Sequence, residues 1–81
     1  MAAIYVLDVP EFQSLIEVAG ANPAYRVKRI SDDYFRIESD TDLVFKRKDL
    51  RMKPAVWYGC FTGGLEGNIA EFGRDEVRVT A

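Results

Sequence analysis

The sequence predicts an α+β domain: an N-terminal strand, one capped helix, then an antiparallel meander of about five strands with the helix on one face. Three observations carry this expectation. Near the N-terminus the apolar residues Phe12, Leu15, Ile16 and Ala19 recur at i, i+3, i+4 and i+7, the spacing of one helix face. From Ala24 the period falls to two, as in half-buried strands. The segments of this second kind are short and separated by polar turn residues, which favours neighbours in sequence pairing antiparallel.

Residues 3–7 (AIYVL) are β-branched and aromatic and form the first expected strand, ended by Asp8 and Pro10. The helix is expected over residues 9–19. Asp8 and Glu11 have capping-box spacing, and Pro10 suits a first turn. Gly20 suits the left-handed position after the last turn, with Pro23 beyond it. The runs AYRVKRI, YFRIES and DLVFKR read as strands separated by Ser31-Asp32-Asp33 and Ser39-Asp40-Thr41. KRKDLRMKP reads as a break, since Pro54 prevents a helix from passing through it. AVWYGCF alternates Val56, Tyr58 and Cys60 against Trp57, Gly59 and Phe61 and reads as another strand. TGGLEG reads as a turn, and NIAEF and VRVT as the last strands. Residues 65–72 are ambiguous, because Leu65, Ile69 and Phe72 also sit at helical spacing.

At 81 residues the chain is one domain, with no linker, repeat or low-complexity segment. A domain of this size buries only about 60% of its unfolded surface, so most apolar side chains are needed for the core. The hydrophobic share of 48% against 30% charged, with a net charge of −2, is that of a folded soluble protein. A pI near 5.0 disfavours nucleic acid as a partner, because phosphate affinity needs a concentrated positive field. The N-terminus lacks the basic start of a signal peptide and its apolar run stops at Asp8, so neither export nor a membrane span is expected. One cysteine forms no internal disulfide, which is consistent with a cytoplasmic location.

The sequence contains no histidine, which removes Ser-His-Asp and Cys-His catalysis and the usual metal sites. The remaining candidates each have a structural explanation beside the functional one. Gly59 and Gly64 have the separation of P-loop glycines, but Leu65 and Glu66 follow where lysine and a hydroxyl residue are required, so the glycines read as turn formers. Cys60 is flanked by Gly59 and Phe61, neither of which would lower a thiol pKa, so it reads as a small buried hydrophobe. Tyr34, Trp57, Tyr58, Cys60 and Phe61 are candidates for an interface or for a pocket wall around an apolar or aromatic ligand. Lys46, Arg47, Lys48, Arg51 and Lys53, with Asp49, give one segment a charge of +4 against −6 elsewhere (11 − 5 cations, 13 − 1 acids). They are candidates for an anion or an acidic partner, or simply a solvated turn. The Asp40/Asp42 spacing resembles the start of a calcium loop, but lysines stand where oxygen ligands are needed, and no metal is expected. No catalytic residue and no cofactor is expected.

The favoured function is therefore a non-catalytic cytoplasmic module that binds a protein through its sheet face and edges. The partner is itself, as a homo-oligomer, or a larger enzyme that it serves as an accessory subunit. The alternative is a small-molecule binder or minimal enzyme with a pocket near Trp57, Tyr58 and Cys60.

Overall fold

A computed structural model describes residues 1–81 of the protein, and in it strand β1 (Ala2–Leu7) runs through the middle of a sheet. Ile4 lies opposite Ile37 of β3 (Tyr34–Ser39) on one side and opposite Leu65 of the two-residue β5 (Leu65–Glu66) on the other. β2 (Tyr25–Arg29) flanks β3, giving the order β2-β3-β1-β5. A second sheet has the order β4-β7-β6, with β7 (Glu76–Thr80) between β4 (Leu43–Lys46) and β6 (Asn68–Phe72). Every pairing is antiparallel. The α+β class and the N-terminal strand followed by a helix are as the sequence predicts. The strands, however, form two sheets rather than one meander.

The strands carry the period of two in their burial. Ile4 and Val6, Leu43 and Phe45, and Val77 and Val79 all enter one core, joined there by Ile37, while the residues between them reach the surface or its margin. Gly67 carries the chain from the first sheet to the second. Its φ is +109°, and a Cβ there would run into the Thr80 carbonyl, so only glycine fits this crossing.

A 3₁₀ turn at Pro10–Phe12 leads into α1 (Gln13–Ala21), whose Leu15 and Ala19 are buried with Phe12 and Ile16 packed beside them. The expected capping box does not form. Asp8 turns instead to Gln13 Nε2 at 2.9 Å and Arg29 Nη2 at 2.7 Å, and these two donors hold its carboxyl below the usual aspartate range, Arg29 foremost. Gly20 lies inside the helix, which runs to Ala21. Asn22 ends it: its N–H donates to the Ala19 carbonyl at 3.2 Å, and its side chain accepts from Ala24 N at 2.9 Å.

The largest departure covers residues 47–59, where α2 (Arg47–Leu50) and α3 (Pro54–Gly59) replace the expected break and strand. Pro54 does bar a helix from passing through, but at a first helical turn its missing N–H costs nothing and it starts α3. Helical spacing brings Val56, Trp57 and Cys60 to the core side and leaves Tyr58 outside. Burial of Trp57 outweighs the β propensity of the run. Its indole Nε1–H donates to the Gly73 carbonyl at 2.9 Å, and its ring meets Phe61 edge to face at 4.9 Å. No helix is long and apolar enough to cross a membrane.

Candidate functional site

Two sheets have four edges, and three of them are protected. On β4, the Tyr25 hydroxyl accepts from the Val44 N–H at 3.0 Å and donates to the Val44 carbonyl at 3.3 Å, so a side chain from the first sheet occupies the place of a pairing strand. β5 has only two residues. β2 carries Arg26, Lys28 and Arg29, charges that discourage strand addition. β6 is different, since all five of its residues are exposed and it pairs only with β7.

The register of β6 explains its surface. Ile69 lies opposite Val79 and Phe72 opposite Val77, with a bulge between Ile69 and Glu71. Residues three apart in a regular strand face opposite sides, but the extra residue, Ala70, turns both Ile69 and Phe72 to the side of the buried valines. The same bulge produces the spacing that makes this segment resemble a helix in the sequence. Ile69 is 51% and Phe72 38% exposed. Tyr58 of α3, 44% exposed, stacks on Phe72 at 5.7 Å, and Phe72 in turn meets Phe61 edge to face. The result is an apolar shelf of Tyr58, Phe72 and Ile69 beside an unpaired strand edge.

The aromatic candidates from the sequence thus separate. Trp57 and Phe61 belong to the core, and so does Cys60, whose thiol donates to the Trp57 carbonyl at 3.2 Å and whose pKa burial pushes up to about 12. Such a thiol carries no thiolate at neutral pH and is no nucleophile. Tyr58 alone reaches the shelf. Tyr34 lies opposite Leu7 at the end of β3, its ring against Gly63. Ile69 and Phe72 were not singled out by the sequence, and their helical spacing was the available signal.

The outer face of the first sheet is ionic. Glu38, whose side chain is 4% exposed, has Lys28 Nζ at 2.8 Å, Arg26 Nη2 at 3.3 Å and Arg36 Nε at 3.9 Å. Lys28 first and then Arg26 hold its carboxyl below the ordinary glutamate value. Arg36 also pairs with Glu66 at 2.9 Å, so charges rather than apolar side chains line this face.

The basic segment divides as well. Arg47 is structural, bonded to Asp75 at 3.0 Å and to the carbonyls of Arg74 and Met52. Lys46, Lys48, Arg51 and Lys53 have no carboxylate within 4.0 Å. Arg51 follows α2 with φ +55°, the one non-glycine residue in the left-handed region, a conformation that costs a side-chain-bearing residue about 1 kcal/mol. Arg51 and Lys53 line a depression of about 340 Å³ with Glu11, Ser14, Leu50, Met52 and Val56. None of Tyr58, Cys60, Ile69 and Phe72 lines this depression.

The chain matches no protein-family model, and no curated protein is significantly similar to it.

Proposed function

We propose that the protein is a non-catalytic binding module whose partner is a second copy of its own chain, joined along β6. The observation that carries this reading is the state of the four sheet edges: three are closed by a tyrosine, by shortness or by charge, and the fourth is open beside an apolar shelf. An exposed strand with unpaired N–H and C=O groups is a template for another strand. When β6 lies antiparallel to its own copy, a two-fold axis relates the partners and the three-stranded sheet extends to six. The shelf residues Ile69, Phe72 and Tyr58 then lose water on both sides of the axis, and burial of such side chains supplies the driving force. The buried Cys60 thiol and the absence of histidine remove the Cys-His and Ser-His routes to catalysis, which supports a binding role, and an unpaired cysteine suits a reducing cytoplasm.

Sedimentation velocity over a wide concentration range tests the proposal. The weight-average mass is expected to rise to twice that of one chain, and the double variant Ile69→Lys, Phe72→Lys to remain monomeric with unchanged circular dichroism. A wild-type chain that stays monomeric at every concentration would sink the proposal, as would a double variant that associates like wild type.

A further inference from the structure

We propose that the depression between the start of α1 and the α2–α3 corner binds a small phosphate monoester. Its volume, about 340 Å³, lies at the lower end of the range for small-molecule sites. The buried Leu50 and Met52, with Val56, supply an apolar floor, and Arg51, Lys53, Ser14 and Glu11 supply the polar rim.

Two features of the rim point to an anion. First, neither Arg51 nor Lys53 has a carboxylate partner, and of the unpaired cations, which also include Lys46, Lys48 and Arg74, these two alone line the depression. Second, Arg51 occupies a left-handed position after α2 where glycine or asparagine is the unstrained choice. The conformation costs folding energy, and the charged side chain that bears it lies on the lip of the depression.

The rim chemistry narrows the ligand. A guanidinium and an ammonium together offer two positive charges and several donors, and the Ser14 hydroxyl adds another; a phosphate monoester dianion matches both the charge and the donors. Glu11 repels the phosphate from its own part of the rim and accepts a hydrogen bond from a hydroxyl on the ligand body. The body lies on the floor formed by Leu50, Met52 and Val56. This site is separate from the β6 shelf and does not depend on self-association.

Amide chemical-shift mapping of the isotope-labelled chain, titrated with phenyl phosphate and with inorganic phosphate, is the test. Saturable shifts are expected at Ser14, Arg51, Met52 and Lys53, with phenyl phosphate the tighter ligand. Arg51→Gly is expected to weaken binding at least tenfold while raising the melting temperature, because it removes the anion contact and the strain together. Lys53→Ala, at an exposed position, is expected to weaken binding without changing stability. Shifts that never saturate, or that spread over all the surface cations, overturn the site. Unaltered affinity in either variant does the same, and equal affinity for the two probes overturns the role of the apolar floor. Shifts on β6 report association and are read separately.

Discussion

The hydroxyl of Tyr25 in β2 closes the edge of β4 by bonding both backbone groups of Val44, accepting from its N–H and donating to its carbonyl. One side chain thereby ties the two sheets together and removes an edge at which a foreign strand would add. Tyr25→Phe keeps the ring against Phe45, 5.7 Å away, but leaves two partly buried backbone groups without their partner. The expected loss is about 1–2 kcal/mol in urea denaturation, with faster hydrogen exchange at the Val44 amide. An unchanged midpoint would show that water replaces the hydroxyl without penalty.

Two glycine substitutions are expected to move stability in opposite directions. Gly67→Ala places a Cβ against the Thr80 carbonyl at φ +109° and should cost at least about 2 kcal/mol. Gly20→Ala meets nothing within 4 Å inside α1 and should stabilise by about 0.5–1 kcal/mol. Chemical denaturation of the two variants side by side checks the contrast.

Cys60 is expected to resist thiol reagents at pH 8 in the native protein and to react at once in denaturant. Its pKa is pushed up from 9.0 to about 12 by burial, so the unfolded chain releases this proton first. The Cys60 contribution to stability is therefore complete below pH 9 and declines as pH rises from there toward 12. Fast native-state labelling would place the thiol at the surface.

Acid acts mainly through the ionic outer face of the first sheet, with Asp8 at its helix side. The Glu38, Asp8, Asp40 and Glu66 carboxyls are held below their ordinary values, chiefly by Lys28, Arg29, Arg26 and Arg36 respectively. A carboxyl with a depressed folded pKa stabilises above its unfolded value and loses that contribution as pH falls through the folded one. Stability should consequently fall below about pH 4.5, the ordinary glutamate value. Glu38→Gln is expected to be less stable at pH 7 and to lose less on acidification. Denaturation curves at pH 7 and pH 3 for both proteins decide this.

Strands β1 to β4, β6 and β7 and helix α1 are legible in the sequence, most clearly where Ile4 and Val6, Leu43 and Phe45, Val77 and Val79, and Leu15 and Ala19 follow one period each and carry the burial that fixes them. Residues 56–61 are not, since side chains alternating in type fit a strand equally well until the Gly73 carbonyl and the core claim Trp57. Pro54 bars a helix from passing through in either reading, and only the tertiary context decides that one begins there. Aromatic character groups Tyr58 with Trp57 and the neighbouring Cys60, but helical geometry leaves Tyr58 exposed and turns the other two inward. Ile69 and Phe72 are ambiguous in the sequence because a single unpaired residue, Ala70, gives a strand the spacing of a helix. Pairing between strands distant in sequence, such as Ala3 with Glu66, leaves no local trace at all.

The central place of β7 governs the order in which the molecule can assemble. β4 and β6 touch no other strand of their sheet, so neither has a backbone partner until residues 76–80 arrive. On the ribosome, β1, α1, β2 and β3 can collapse into an early hydrophobic unit while the remainder of the nascent chain waits. Loss of these five residues would therefore strand two further segments, and a chaperone that recognises unpaired strands would find both.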